Sequence, residues 1–222
     1  MNMKITRKFR LWAGLTLVAG ATLVVVAGCA SIGAGNYDAM ADQMMKASFR
    51  DQGIARLDRL VQDDSNRECS QAGTEPLPEA RTKAIEEANF KTIKWPSDGK
   101  FLGDWREGEK LAQNGRGLTW TDSDPKANGG NCYNCHRISG TEISYGTIGP
   151  SLYQYGKIRG VSDPDSAASK AMVEYTWGKI WNAKAYNACS GMPRLGHAGV
   201  LGEQQVKDLM ALLLDPASPV NK

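Results

Sequence analysis

Histidine is close to absent from this chain: its 222 residues contain two, His136 and His197, far apart in the sequence. Two isolated histidines offer no histidine-based catalytic triad and no general-base pair. A basic excess is missing as well. The formal net charge is +3, but Lys4, Arg7, Lys8 and Arg10 at the start account for it, leaving 23 basic against 24 acidic side chains in the rest. No basic face for nucleic acid is implied. Internal repeats and low-complexity runs are absent, and at 41% hydrophobic and 23% charged residues the composition is that of an ordinary folded protein. Cysteine is scarce too, at five.

What is present is concentrated. Residues 129–140 read GGNCYNCHRISG, placing two of the five cysteines and one of the two histidines within five consecutive positions. At this composition a Cys-x-x-Cys-His string is expected by chance in about 0.001 of such sequences. Three chemistries compete for Cys132, Cys135 and His136. Structural zinc wants four ligands, usually from two separated pairs, and the remaining Cys69 and Cys189 do not form one. A thioredoxin-like dithiol wants the motif to open a helix after a strand; here GLTWTDSDPKANGG precedes it and reads as loop. Covalent haem c uses all three residues at once, the thiols bonding the porphyrin vinyl groups and the histidine rising beneath the iron.

A haem iron held by His136 needs a second axial ligand for electron transfer. Met172, Cys189, Met192, His197 and Met210 lie downstream. Met172 and Met210 occupy helical periodic positions, where methionine usually packs a core. Met192 sits in GMPRLG (191–196), between a glycine that lets the backbone come close and a proline that stiffens the loop. It is the favoured ligand, with His197 and Cys189 as alternatives.

The first 28 residues have the layout of a signal peptide: a basic start, then LWAGLTLVAGATLVVVAG (11–28) without a charge. Val26-Ala27-Gly28-Cys29 resembles a bacterial lipoprotein cleavage box, which would make Cys29 the acylated first residue of the mature protein; Ala30 behind it suits outer-membrane sorting. An ordinary cleaved signal peptide and an uncleaved anchor are the alternatives, and eighteen residues is the short end of a membrane span. Each reading places the chemistry outside the cytoplasm, in the periplasm for the first two, where disulfides are allowed. With Cys29 lipidated and Cys132 and Cys135 on haem, Cys69 and Cys189 remain to pair; two unpaired thiols, or a bridge to another chain, are the other outcomes.

Residues 31–36 read as a tether and 37–63 as helix with a break at Gly53, its apolar stripe formed by Met40, Met44, Ile54, Leu57, Leu60 and Val61. Residues 65–78 look like loop, 79–90 like a second helix, and 95–99 like a turn near which the composition changes. This gives a leader (1–28), a tether with a helical extension (29–100), and a haem domain (101–222). In the haem domain, 104–112 and 166–183 read as helices, 137–165 as a long loop. The last helix is marked by Val206, Leu209, Met210 and Leu213, with Glu203 at its start and Pro216 after its end. A few short helices make a thin interior that a bulky apolar cofactor would complete.

The order from Gly103 onward (helix, haem motif, GTIGP proline, methionine loop, last helix) resembles a class I cytochrome c, an all-α fold around one covalent haem. NCYNCHRISG, GTIGPSLYQYGKIRG and YNACSGMPRLGHAGVLGEQQVKDLMALLLDPASPVN more closely resemble the SoxX family, the small haem subunit of the SoxAX cytochrome of thiosulfate oxidation. That resemblance covers about 120 residues well and 31–100 poorly. It implies that the Pro150 carbonyl accepts a hydrogen bond from His136. It further implies a SoxA-like cytochrome as heterodimer partner, a SoxYZ-like carrier and a downstream cytochrome c as transient partners, and no nucleic acid. Thiosulfate would be joined to a carrier cysteine, an L-cysteine S-thiosulfotransferase reaction whose sulfur chemistry belongs to SoxA while SoxX passes electrons on. A free-standing exported cytochrome c shuttle, and a structural lipoprotein module with a CxxC metal or disulfide site, are the rival functions. One departure stands out: Gly202 occupies the position where related cytochromes often carry a Ser or Thr helix cap.

Overall fold

A computed structural model describes residues 36–122 and 128–222. The leader, Cys29 and the tether as far as residue 35 lie outside the described residues. Packing divides the chain after Arg50. In the first unit, α1 (Tyr37–Ser48) is capped by the Asn36 side chain, which accepts from Ala39 N–H at 3.0 Å. Every α1 residue is exposed.

The second unit runs from Asp51 to Lys222. It includes residues 51–100, so the compositional change near residue 100 is not a boundary in packing. Its helices are α2 (Asp64–Ala72), α3 (Glu79–Phe90), α4 (Trp105–Gln113), the single turn α5 (Tyr155–Ile158), α6 (Lys170–Trp181) and α7 (Glu203–Leu214). Among the described residues there is no strand, only an isolated bridge between Gln52 and Ala55. None of these helices is long and apolar enough to cross a membrane.

Four sequence expectations need correction. The helix expected over 37–63 stops at Ser48, where Phe49 turns extended, and Gly53 then makes a turn at φ +49°. Its backbone lies against the Trp120 carbonyl, so closely that a Cβ would be 2.2 Å from that oxygen; only glycine serves there. Leu57–Leu60 follow as a 3₁₀ turn. The stretch 65–78, expected as loop, begins with α2. Asp63 caps it, accepting from Asn66 N–H at 2.8 Å, and Gly73 ends it at φ +60°. Its polar composition is that of a surface helix held by tertiary ties rather than by an apolar stripe. The long loop over 137–165 is interrupted by α5, and the helix expected over 166–183 is shorter at both ends.

The centre of the unit is the crossing of α4 and α7. Gly108 lies against the Asp208 carbonyl and the Leu212 side chain, and Ala112 is fully buried one turn later. Small residues on α4 let the backbones approach closely. Asp208 is buried but satisfied: its Oδ1 accepts from Asp104 N–H and from Gln204 Nε2, each at 2.9 Å. Gly202 begins α7, and Gln205 supplies what its missing side chain does not, accepting from Gly202 N–H at 3.0 Å.

The chain end locks this arrangement. Asn221 Oδ1 accepts from Gly156 N–H at 2.9 Å and Lys157 N–H at 3.2 Å, while its Nδ2 donates to Leu213 O and Asp215 O at 3.0 Å. Ser218 Oγ donates to Leu212 O at 2.7 Å. Orphan carbonyls at the end of α7 and orphan amides at the start of α5 are thus satisfied by two side chains. Residues 89–101 pack on α6 and its C-terminal end: Trp177 Nε1 donates to Lys94 O at 2.9 Å, Asn182 Nδ2 donates to Asn89 Oδ1 at 3.0 Å, and the Trp177 ring meets Phe101 edge-on.

Candidate functional site

A largely apolar cleft of about 610 Å³ opens between the 130–136 turn, the Ile148–Leu152 loop, α5, α6, the Asn187–Leu195 loop and α7. Ile138, Leu152, Ile180, Leu195, Leu209, Leu212 and Leu213 line it. Its size lies within the range of cofactor pockets. Tyr155 contributes its ring while its hydroxyl is paired with Thr176 Oγ1 at 3.0 Å, so the wall presents no unmet polar group there. Arg159 and Lys179 are its basic members.

Cys132, Cys135 and His136 stand together on this wall. A 3₁₀ turn over Cys132–Asn134 follows Asn131, which adopts a left-handed conformation at φ +50°. Cys132 O accepts from Cys135 N–H at 3.1 Å and His136 N–H at 2.9 Å, which fixes the spacing of the three side chains. Both cysteines are free. Burial pushes the Cys132 thiol up to about 12, the opposite of the lowered value that a thioredoxin-like nucleophile requires.

The ring of His136 is clamped. Its Nδ1 lies 2.7 Å from Pro150 O; a carbonyl only accepts, so Nδ1 is the donor and Nε2 is the ring nitrogen left for another partner. Gly149 lies so near the ring that a Cβ would be 2.2 Å from His136 Cε1. Gly149 N–H also donates to Cys135 O at 2.8 Å, tying the GTIGP loop to the cysteine turn. The sequence pointed to Pro150 and not to Gly149, whose contact with the ring only the fold creates.

Of the five candidates for a second axial position, Met192 and Cys189 line the cleft, and Met172, His197 and Met210 do not. Met210 is fully buried in the core and Met172 packs against it. His197 is exposed, its N–H donating to Trp181 O at 3.0 Å. Cys189 is bonded to Cys69 across 120 residues of sequence, which leaves Met192 as the cleft's thioether. Sequence reasoning missed the groups around this loop. Ala188 N–H donates to Glu86 Oε1 at 3.2 Å, Lys184 Nζ donates to Ala188 O at 2.9 Å, and Arg194 pairs with Asp63 at 2.5 Å. No periodicity or motif marks such pairs.

The donor set fits haem c and not zinc. Two free thiols in a Cys-x-x-Cys-His sequence, an imidazole and a thioether face one apolar cleft. Among the described residues no group of three or more His, Cys, Asp or Glu side chains is assembled to hold a metal ion. Comparison with known proteins agrees in kind. The profile of the cytochrome c family matches residues 105–215. An "uncharacterized lipoprotein" of Aquifex aeolicus (strain VF5) is 40% identical over 134 residues, 59% of this chain; the chain thus spans only 59% of that relative's length.

Proposed function

The chain belongs to the cytochrome c family, which implies covalently bound haem c and electron transfer, and from that premise we propose that Cys132, Cys135, His136 and Met192 hold a single haem. When bound, haem c supplies a one-electron couple whose potential the protein sets through axial ligands and burial. Cys132 and Cys135 would hold the porphyrin through thioether bonds, and His136 Nε2 and the Met192 sulfur would hold its iron. Pro150 keeps the His136 ring oriented and its Nδ1 protonated. The aliphatic lining from α6 and α7 excludes water, and a thioether ligand favours a higher potential than a second imidazole. The observation that carries this reading is the placing of the two free cysteines, the clamped histidine and one unpaired sulfur candidate on one cleft. Pyridine haemochrome absorption with intact mass tests it: protein matured in a cytochrome-c-competent host should carry one haem. Met192→Ala should keep that haem yet lose the near-infrared sulfur-to-iron band. A colourless product of bare polypeptide mass would overturn the haem assignment, and an unchanged band the methionine.

Within the family, the proposed role is that of a SoxX-like electron-transfer subunit. Support comes from NCYNCHRISG, GTIGPSLYQYGKIRG and the ending ALLLDPASPVN. A SoxA-like cytochrome would carry out the coupling of thiosulfate to a carrier cysteine, and this chain would pass the electrons to a further cytochrome c. Co-purification from the native host distinguishes the readings. A stable complex with a second haem chain is expected; a lone monomer active with another respiratory donor would favour the free-standing shuttle.

Export and lipid anchoring at Cys29 are proposed on the leader layout and on the relative being named a lipoprotein. A mature chain beginning at Cys29 and carrying acyl mass is expected on the periplasmic side of the outer membrane. A mature start elsewhere, or no acyl mass, would overturn the anchor.

A further inference from the structure

The loop that carries Met192 is gripped on both sides of the methionine by residues preceding the haem domain. Three positions before it, Cys189 is bonded to Cys69 on α2. Two positions after it, Arg194 pairs with Asp63 at 2.5 Å, with 15% of the arginine side chain exposed. Asp63 is also the N-cap of α2, accepting from Asn66 N–H, so both grips converge on one helix. A third tie comes from α3, whose Glu86 accepts from Ala188 N–H at 3.2 Å. Lys184, itself buried, holds the same residue through its other backbone group, donating to Ala188 O at 2.9 Å.

Inside the loop the restraints are few. Met192 N–H donates to Ser190 Oγ at 3.2 Å, and Gly191 has nothing within 4 Å of where a Cβ would be. Asp63, Cys69 and Glu86 all fall outside residues 105–215, the part that matches the family. A neutral thioether is a weak donor, and an untethered loop opens at little cost, admitting other ligands.

We propose that Asp63, Cys69 and Glu86 are positioning residues: the 63–86 segment is a clamp that holds the Met192 sulfur in the cleft. The clamp acts through the backbone of 188–194 and touches no reacting atom. It accounts for a polar, non-periodic α2, since its N-cap Asp63 and its Cys69 are the groups that grip the loop. The proposal rests on Met192 being the second axial ligand.

The test uses ferric holoprotein, with imidazole as competing ligand and the near-infrared sulfur-to-iron band as signal. The variants are Cys69→Ser combined with Cys189→Ser, which leaves no stray thiol, and separately Asp63→Asn. Imidazole should displace the sulfur at a concentration lower by about tenfold in the double variant and by about threefold in Asp63→Asn, with Asp63→Glu restoring wild-type behaviour. Hydrogen exchange over 188–194 should quicken in both variants while α7 amides keep wild-type protection, a readout independent of the haem band. Unchanged imidazole competition and unchanged 188–194 exchange would overturn the clamp, as would equal loosening of α7, which would make these ties merely structural. A wild-type protein lacking the band would remove the methionine ligand and the clamp's purpose together, an outcome distinct from a wild-type band that ignores the variants.

Discussion

Gly108 lies against Asp208 so closely that a Cβ would come within 2.1 Å of the Asp208 carbonyl oxygen and 3.0 Å of Leu212 Cβ. Neither neighbour is a flexible side-chain tip, so Gly108→Ala has to push α4 and α7 apart. Alanine's better helix propensity works the other way by about 1 kcal/mol. Backbone displacement in a packed crossing costs about 1–3 kcal/mol or more, so a net loss is expected. Guanidinium unfolding of the holoprotein checks it; a variant as stable as wild type would mean that the helices separate freely.

Legibility in the sequence followed how local each determinant is. The Cys132–Cys135–His136 turn is encoded by spacing alone and could be read as a haem motif without knowledge of the fold. α7 was readable because Val206, Leu209, Met210 and Leu213 repeat at helical period and Pro216 follows. α2 was not, because its boundaries are set by Asp63 and Gly73 and its anchoring by Cys69 and the Glu68–Arg81 pair, none of which gives a periodic signal. The apolar residues from Met40 to Val61 suggested one helix, yet Gly53 meets Trp120, a contact between residues far apart in sequence. Gly202 looked like a weak cap, and Gln205 supports it from one turn on. The ending ALLLDPASPVN was distinctive on sight, but its reason lies in hydrogen bonds to α5.

That reason is testable at Asn221, whose side chain meets two amides at the start of α5 and two carbonyls at the end of α7. Asn221→Ala strands Gly156 N–H and Leu213 O, both in buried hydrogen bonds. Stranding buried groups costs about 1–3 kcal/mol each, partly recovered where water reaches Lys157. A loss of about 2–4 kcal/mol is expected in thermal or denaturant unfolding. Asn221→Asp should recover the α5 half of these bonds and lose the α7 half. Equal damage from both substitutions would contradict the division of labour.

At Gly149 the neighbour is the His136 ring, 2.2 Å from where a Cβ would be. Gly149→Ala must turn the imidazole or move the GTIGP loop, and either weakens the Nδ1–H bond to Pro150 O. The cysteines are untouched, so covalent attachment should persist while the axial geometry changes. The expected signature is a normal pyridine haemochrome, where pyridine replaces axial ligands, beside a shifted native Soret band and a potential changed from wild type. A native spectrum identical to wild type would show that the ring tolerates the intrusion and that Gly149 sets nothing.

The Asp63–Arg194 pair carries a pH dependence whose sign follows from its surroundings. Burial pushes the Asp63 carboxyl up, but the Asn66 N–H and the Arg194 guanidinium outweigh it, with Lys184 adding to the pull, and the carboxyl is held below its ordinary value. A carboxylate lowered in the folded state contributes stability that is present above its unfolded value, about 3.9, and is lost as pH falls through the folded value. The grip on the methionine loop is therefore complete at neutral pH and fails on acidification, not on going alkaline. With 42% of the Asp63 side chain exposed, solvent screening keeps the effect small, so it belongs in a local readout rather than in global unfolding. Alkylation of the Met192 thioether suits this, since a thioether has no proton to titrate near these pH values. As pH falls from about 6 to about 2, wild-type alkylation should accelerate only below the ordinary carboxylate range, where Asp63 protonates. Asp63→Asn should alkylate faster than wild type at pH 6 and change less across the range. Parallel pH profiles for the two proteins would show that another group controls the acid opening of the loop.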